Sequence, residues 1–327
     1  MKSKSKTTVS TGHARNPGIP LDLDEVLRHR INRSAVESRA ASLAGRRSVK
    51  KQWQAAWLLK AVTCIDLTTL AGDDTEGRVL RLCAKARQPV RAEILQQLGV
   101  QDLGIKPGAV CVYHQFIKTA VTALAGTGIP VAAVSTGFPA GLSPFPARMA
   151  EIKASVKAGA EEIDIVIERN LVLSENWSKL YQQICKARAA CGAVHLKVIL
   201  ATGELGTLNN VARASMVAMM AGADFIKTST GKESVNATLP VSLTMVRMIR
   251  NYQELTGFKI GYKPAGGIGD AKTAIQYLLM MKEELGNDWV QPELFRFGAS
   301  SLLTDIERQL EHCASGRYAA YAHQPLV

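Results

Sequence analysis

The chain has 327 residues, of which 47% are hydrophobic and 6% aromatic, and it carries a formal net charge of +12. This length fits one large α/β domain or two ordinary ones, and the hydrophobic content is ample for a core. Its six cysteines are scattered, with no CxxC pair and no zinc-like spacing to histidine. That pattern excludes a disulfide-stapled or zinc-finger protein and indicates reduced thiols in a reducing compartment.

Positive charge is concentrated at the start of the chain. Residues 1–50 hold 11 Lys and Arg against 4 Asp and Glu, so they contribute +7 and the other 277 residues only +5. Residues 1–20 are polar and basic, and we predict a disordered tail there. They lack the apolar centre of a signal peptide, so we expect a cytoplasmic protein. A basic arm for RNA or an acidic partner is the alternative, although we do not expect nucleic-acid binding.

Residues 21–60 are predicted to form an N-terminal helical extension. The clearest helix in this region covers residues 46–62. Trp53, Trp57 and Leu58 are expected to pack this helix on the body of the protein, and one arrangement is a lid over one end of it. We expect no membrane span later in the chain, because the uncharged run at 119–147 is rich in Gly, Pro, Ser and Thr.

Eight strand-like segments alternate with amphipathic helical segments after the extension. In the predicted helix at 75–87, for example, Val79, Leu82, Cys83 and Ala86 recur at helical spacing on one face. The predicted strands are residues 64–70, 109–113, 131–136, 162–168, 195–200, 225–230, 260–266 and 294–300.

Eight β/α units in about 250 residues predict a TIM (β/α)8 barrel. We place it at residues 61–315, with a C-terminal tail at 316–327. A doubly wound open sheet is the runner-up, but such a sheet usually carries a Gly-rich phosphate loop after its first strand. Here the sequence AGDDT follows that strand instead, which favours the barrel.

Four of the predicted strands each carry a charge in an otherwise apolar run. Lys227 is the clearest case: burial would lower its pKa and give a nucleophilic amine, whereas a position at the strand end would let it reach water. Asp164, Lys197 and Lys263 occupy similar positions in neighbouring strands. A carboxylate and three lysines on successive strands indicate a shared polar interior, and such an interior is more often a reaction centre than a structural ion cluster.

The reacting groups of a TIM barrel lie at the C-terminal ends of its strands. Six side chains are predicted to converge there, namely Asp66, Cys111, Asp164, Lys197, Lys227 and Lys263. The last two lie on adjacent strands, so their ammonium groups could approach to about 5 Å, which costs roughly 3 kcal/mol at an effective dielectric of about 20. This repulsion would lower the pKa of one lysine by roughly 2 units, leaving it neutral while the other stays charged.

Glycines at the last two strand-to-helix turns predict an anion site. Backbone N–H groups and helix N-termini attract phosphate, and the loops after strands 7 and 8 are the usual phosphate site of this barrel. The glycines concerned are Gly266, Gly267 and Gly298. The six histidines never pair at ligand spacing, so we predict no metal site.

Several stretches of the sequence resemble deoxyribose-phosphate aldolases, most closely the longer animal-type form. They span about residues 50–321 and include CIDLTTLAGDDT, EIDIVIERNLVL, HLKVILATGELGTL, ADFIKTSTGKESVNAT, GYKPAGGI, FRFGASSLL and GRYAAY. The resemblance implies a class I aldolase without cofactor or metal that cleaves 2-deoxy-D-ribose 5-phosphate, a small phosphorylated sugar. It assigns the Schiff base to Lys227, a partner role to Lys263 and the catalytic carboxylate to Asp164.

The same resemblance assigns the remaining site residues. Phosphate binding falls on Gly231, Gly266, Gly267, Gly298, Ser300 and Ser301. As a hypothesis beside it, Lys197 balances the charge of Asp164, Thr228 and Cys111 line the site, and Asp66 and Thr68 contact a substrate hydroxyl. Tyr318 or Tyr321 either touches substrate or packs on the outside.

Two positions depart from the family pattern, and other functions stay open. Gly269 follows the GGI turn where arginine is common, and His114 follows CVY where proline is common. The family also implies a homo-oligomer. The competing functions are a weakly catalytic barrel that serves as a binding protein through its basic N-terminal region, and a lysine aldolase for a different phosphosugar.

Overall fold

The computed structural model describes residues 14–46, 49–320 and 323. The predictions for residues 1–13 and for Tyr321 lie outside this part of the chain. The α-helices are α1 Leu23–Arg28, α2 Arg33–Arg46, α3 Lys51–Thr63, α4 Glu76–Arg87, α5 Ala92–Gln97, α6 Ile117–Ala123, α7 Phe145–Lys157, α8 Arg169–Leu173, α9 Trp177–Cys191, α10 Leu208–Met220, α11 Leu239–Thr256, α12 Ala271–Leu285 and α13 Ser301–Ser315.

Eight parallel strands form the sheet, one in each segment predicted from the sequence. Each observed strand is shorter than its prediction, because the residues at the ends turn into the loops. The strands are β1 Ile65–Thr68, β2 Ala109–Val112, β3 Val131–Ser135, β4 Glu162–Val166, β5 His195–Ile199, β6 Phe225–Lys227, β7 Gly261–Lys263 and β8 Phe297–Ala299.

The sheet closes on itself, which confirms the barrel over the open doubly wound sheet. The strands pair in the order β7-β6-β5-β4-β3-β2-β1-β8. Bridges from Tyr262 to Phe295 and from Ala265 to Gly298 then join β7 to the β8 segment. The Gly298 amide donates to Pro264 O at 2.9 Å across this seam.

Alternation along the strands sorts side chains between two environments. Ile163 and Ile165 on β4 pack in the large apolar core between the sheet and the helices. Cys111 on β2 and Val134 on β3 belong to a separate, smaller apolar cluster on the other face of the sheet. The barrel interior is therefore apolar beside β2 and β3, and its charged side chains come from the other strands.

The amphipathic pattern correctly predicted the outer helices. In α4, Val79, Leu82, Cys83 and Ala86 are the buried residues, and Thr75 caps the helix by accepting from the Arg78 amide. The methionines of α10 are buried in the core. Among the described helices, none has both the length and the apolar character needed to cross a bilayer.

The N-terminal extension packs on the outer helices of the barrel. Helix α1 contacts α10, α2 contacts α11 and α12, and α3 contacts α12 and α13. As predicted for the third of these helices, Leu58 is fully buried, whereas Trp53 is 67% exposed. The lid arrangement stays a prediction.

Part of the predicted disordered tail is packed on the barrel. The Asn16 side chain donates to Met219 O at 2.8 Å and to Ala223 O at 2.9 Å. Its backbone amide donates to Asp224 Oδ1 at 2.8 Å. Composition gave no signal for this docking, because it depends on one asparagine meeting carbonyls about 200 residues away along the chain.

Candidate active site

Asp164 is the centre of the polar interior of the barrel. It lies on β4, opposite in register to Val134 and Lys197, and it is completely buried. Its Oδ1 accepts from Lys197 Nζ at 3.0 Å, and its Oδ2 accepts from Lys227 Nζ at 2.8 Å and from Lys263 Nζ at 2.9 Å. The three lysines predicted from the strand pattern thus surround one carboxylate, and we call Asp164, Lys197, Lys227 and Lys263 the lysine cluster.

Asp66 on β1 joins this cluster from the opposite side. Its Oδ2 lies 2.5 Å from Lys263 Nζ, in ion-pair but not hydrogen-bond alignment. Its Oδ1 lies 2.5 Å from Arg296 Nη1. Lys263 therefore bridges the carboxylates of Asp66 and Asp164.

Two charged residues of the interior were missed from the sequence. Arg296 precedes β8 and is 5% exposed, and its Nη2 lies 2.9 Å from Glu162 Oε1. Glu162 also forms a close ion pair with Lys197. The signal was present in both cases, because Arg296 is a lone charge in the predicted strand LFRFGAS and Glu162 lies two residues before Asp164, on the same face.

The lysines of the cluster differ in basicity. Burial lowers the pKa of Lys227, and the neighbouring Lys263 lowers it further, although Asp164 acts in the opposite direction. Burial also acts to lower the pKa of Lys263, but Asp164 and Asp66 outweigh it and raise that pKa. The pKa of Lys197 is raised in the same way, by Asp164 and Glu162. Lys227 is thus the lysine most disposed to react as a free amine.

The buried carboxylates are held ionised by these cations. Burial alone would raise the pKa of Asp164, but Lys197, Lys227 and Lys263 together hold it well below its ordinary value. The pKa of Asp66 is lowered despite burial by Lys263 and Arg296. Asp164 can therefore accept a proton only transiently, which suits a group that passes protons during a reaction.

The predicted substrate-lining residues occupy different surroundings. Cys111 is buried beside the lysine cluster, and burial raises the pKa of its thiol. The Thr228 hydroxyl is occupied by the backbone of Ala265, accepting from its amide at 3.0 Å and donating to its carbonyl at 3.3 Å. The Thr68 hydroxyl donates to Asp66 O at 2.7 Å. Both hydroxyls therefore bond backbone groups at the strand ends.

Most of the predicted phosphate residues lie in the loops that follow β6, β7 and β8, whereas Gly298 lies within β8 and its amide donates to Pro264 O at 2.9 Å. Gly231 and Ser300 are also engaged in hydrogen bonds. The Gly231 amide donates to Glu233 Oε2 at 3.1 Å. The Ser300 hydroxyl accepts from the Thr68 amide at 3.1 Å and donates its proton to Thr68 O. Phosphate binding by Ser300 would therefore use its backbone N–H.

Among the other predicted residues, the Gly266 amide donates to Gly298 O at 3.5 Å, whereas the surroundings of Gly267 and Ser301 are open. Gly267 has a φ of 79°, and an added Cβ would meet no atom within 4 Å. Ser301 is exposed and begins α13, whose N-cap side chain makes no capping hydrogen bond. The helices α10, α11 and α12 are each capped by a side chain at the same end of the barrel. The first turn of α13 is thus the uncapped helix end beside the Gly266–Gly267 turn.

The two departures from the family pattern leave the lysine cluster intact. A Cβ on Gly269 would meet only Ser301 Oγ, at 3.7 Å, so a side chain at this position would lie beside the start of α13. The imidazole of His114 hydrogen-bonds Ser155 Oγ at 3.0 Å.

Tyr318 is 57% exposed and stacks on His312 with ring centroids 4.1 Å apart. Its ring is thus placed on α13.

The chain is similar to aldolases in both sequence and fold. It matches the family model described as DeoC/LacD family aldolase over residues 60–307. It is 57% identical over 315 residues to a Homo sapiens deoxyribose-phosphate aldolase, covering 96% of this chain and 99% of that one. A Bos taurus deoxyribose-phosphate aldolase is 56% identical over the same length and the same shares.

A solved structure agrees with the fold alone. The tetrameric deoxyribose phosphate aldolase from Aeropyrum pernix has a TM-score of 0.57 and 20% identity, covering 81% of this chain and 98% of that one. The family match spans all eight strands and every residue of the lysine cluster. The chain therefore belongs to the DeoC/LacD family of aldolases.

Proposed function

We propose that this protein is a class I aldolase that reversibly cleaves 2-deoxy-D-ribose 5-phosphate to D-glyceraldehyde 3-phosphate and acetaldehyde. The observation that carries the proposal is the contrast between Lys227 and Lys263, which touch the same oxygen of Asp164 but have pKa values shifted in opposite directions. The human and bovine relatives named for this activity support the choice of substrate.

The reaction begins with the free amine of Lys227. It attacks the aldehyde carbon C1 of the open-chain sugar, and loss of water from the resulting carbinolamine gives an iminium ion. The iminium withdraws electrons from the C2–C3 bond, which lies between the carbons of the two products. No separate cofactor is needed, because the iminium itself accepts the electron pair.

Cleavage requires a base for the hydroxyl on C3. Asp164 takes this proton through Lys263 and a water molecule as the C2–C3 bond breaks and glyceraldehyde 3-phosphate forms. The electron pair passes to an enamine on Lys227. Protonation of the enamine at C2 and hydrolysis of the imine then release acetaldehyde and return Lys227 to its free amine.

The phosphate of the substrate is placed at the start of α13 and the Gly266–Gly267 turn. This proposal rests on the uncapped end of α13, which is 15 residues long, and on the exposed position of Ser301. Unpaired amides at a helix N-terminus carry partial positive charge and bind phosphate oxygens. The Thr230–Gly231 amides contribute only where Glu233 releases them.

A coupled assay for glyceraldehyde 3-phosphate tests the proposed reaction. We expect release from 2-deoxy-D-ribose 5-phosphate and much slower release from ribose 5-phosphate. Preference for ribose 5-phosphate would instead indicate an aldolase for another phosphosugar. A folded sample that releases the product from neither sugar would contradict the proposal.

Substitution of Ser301 by aspartate tests the phosphate site separately from the fold. A carboxylate in the first turn should stabilise α13 by about 0.3–1 kcal/mol, because it interacts favourably with the helix dipole. The same charge should repel the substrate phosphate and raise KM by about tenfold or more, the effect of about 1.4 kcal/mol. Kinetics with the phosphorylated sugar and with 2-deoxy-D-ribose separate the two effects, since only the former should be weakened. Ser301→Asn is the uncharged control.

We also propose that the protein acts in the cytoplasm. All six cysteines are free thiols, and burial raises the pKa of those at 64, 83, 111 and 191. Such thiols suit a reducing compartment.

A further inference from the structure

Six charged side chains inside the barrel form a closed ring in which cations and anions alternate. Each carboxylate uses its two oxygens for two different cations. In order, the ring runs Arg296, Asp66, Lys263, Asp164, Lys197 and Glu162, and Glu162 returns to Arg296. We call these six residues the charge ring.

The charge ring has no net charge. It contains three cations and three carboxylates, and its most exposed member, Arg296, is only 5% exposed. Charges buried this deeply are costly unless they are paired and hydrogen-bonded. The alternation satisfies that requirement without leaving a surplus charge of either sign.

Lys227 is a seventh ionisable group, which contacts the ring at Asp164 but is not a member of it. Its single ion-pair partner among the described residues is Asp164, at 2.8 Å from Oδ2. Asp164 already balances two ring lysines through its two oxygens. Among the residues that the structure describes in the barrel interior, a proton on Lys227 would therefore be a charge that the ring does not compensate.

The backbone around Arg296 leaves space for its guanidinium and accepts one of its hydrogen bonds. Its guanidinium bridges Asp66 and Glu162, and its Nε donates to Pro292 O. A Cβ on Gly108 would lie 2.8 Å from Arg296 Cδ and 2.9 Å from its Nε, so the absence of a side chain at Gly108 makes room for the guanidinium.

We propose that Arg296 and Glu162 are positioning residues for the reaction, because together they close the charge ring and keep it neutral, so that the ring presents neither a surplus negative nor a surplus positive charge to Lys227. The inference rests on the proposed function only for the naming of Lys227 as the nucleophile. Arg296 and Glu162 act through the other members of the ring, since their ion pairs within it are to Asp66, Lys197 and each other. Outside the ring, the partly buried imidazole of His195 lies 4.0 Å from Glu162 Oε1. Their roles are opposite in sign, because one supplies a cation and the other an anion.

Paired substitutions of opposite charge test this inference. Arg296→Met leaves the ring with one surplus negative charge, so Lys227 should hold its proton to a higher pH. Glu162→Gln leaves one surplus positive charge, so Lys227 should lose its proton at a lower pH. We expect shifts of about one pH unit in these opposite directions, the usual scale for a nearby charge in a buried site. The double variant should return most of the way to the wild-type value.

Two readouts follow the protonation of Lys227. The first is the acidic limb of the pH profile of kcat/KM for sugar-phosphate cleavage. The second is the pH dependence of Lys227 acetylation by acetic anhydride, followed by peptide mass spectrometry, which needs no aldolase activity. Wild-type protein that labels at Lys227 but cleaves no sugar would defeat the proposed function and still allow the ring to be tested.

Controls separate the ring from general damage to the fold. Arg296→Lys keeps the cation and should keep the wild-type titration. Lys85→Met removes a cation from the buried pair with Glu307 in the outer helices, at 2.6 Å, and should leave the titration of Lys227 unchanged. Shifts of the same sign in Arg296→Met and Glu162→Gln, or no shift, would overturn the inference. If Arg296→Met does not fold, Glu162→Gln alone decides the question. The inference is overturned if Lys227 in that variant loses its proton at the wild-type pH or at a higher pH.

Discussion

Substitution of Lys227 by alanine is expected to lower kcat/KM for 2-deoxy-D-ribose 5-phosphate by at least about 10⁴-fold, the scale on which loss of a catalytic nucleophile acts. The other two lysines of the described interior, Lys197 and Lys263, cannot take over its role. Lys197 and Lys263 are each held by two carboxylates, and their pKa values are raised. Each of them therefore remains an ammonium ion, which is not nucleophilic.

Trapping with acetaldehyde and borohydride measures the same loss directly. A stable two-carbon unit should appear on Lys227 in the wild-type protein and should be absent from Lys227→Ala. Lys227→Arg is the matched control, because arginine keeps a cation against Asp164 but forms no imine. An adduct found on Lys263 or Lys197 instead would contradict the assignment of Lys227.

The order of the elements could be predicted from local sequence, because each element carries its own pattern. Apolar residues at spacings of three and four marked α4, and Thr75 gave its N-terminus. Isolated charges in apolar runs marked the strands that bear Asp164, Lys227 and Lys263. These signals depend on residues a few positions apart, and the structure agrees with them.

Local sequence patterns could not predict which charged residues pair with one another. Arg296 meets Asp66 and Glu162 across 230 and 134 positions of sequence. Alternation shows that such side chains face the interior, but it does not show which of them close a ring. The strand LFRFGAS thus carries in Arg296 a charge whose partners lie on distant strands.

Local sequence also does not show how hydroxyl groups are used. Ser300 and Thr228 are predicted site residues, and in the structure their hydroxyls bond the backbone of neighbouring strands. A barrel with strands of three to five residues leaves backbone groups at the strand ends without ladder partners. Nearby hydroxyls satisfy those groups, and sequence alone cannot distinguish this use from substrate binding.

Substitution of Asp164 by asparagine is expected to lower kcat by about 10²–10⁴-fold, the range for loss of a general acid or base. It should also destabilise the fold by about 3–5 kcal/mol at neutral pH, because the buried ammonium groups of Lys197 and Lys263 lose a shared counter-charge. Kinetics and denaturant unfolding measure the two effects on the same sample. Asp224→Asn is the matched control. Asp224 is buried and forms an ion pair with Arg188 at 2.6 Å, and neither residue belongs to the lysine cluster. The variant should therefore lose stability but keep its kcat.

The pH dependence of this destabilisation gives the sign of the interaction. The folded-state pKa of Asp164 lies well below its ordinary value, so its carboxylate stabilises the fold fully above the unfolded pKa of about 3.9. That contribution is lost only as the pH falls below this value toward the folded pKa. The stability difference between wild type and Asp164→Asn should therefore be constant from about pH 5 to 8 and shrink in stronger acid. A difference that instead grew on acidification would mean that Asp164 is protonated in the folded protein, and the lysines around it would then need another counter-ion.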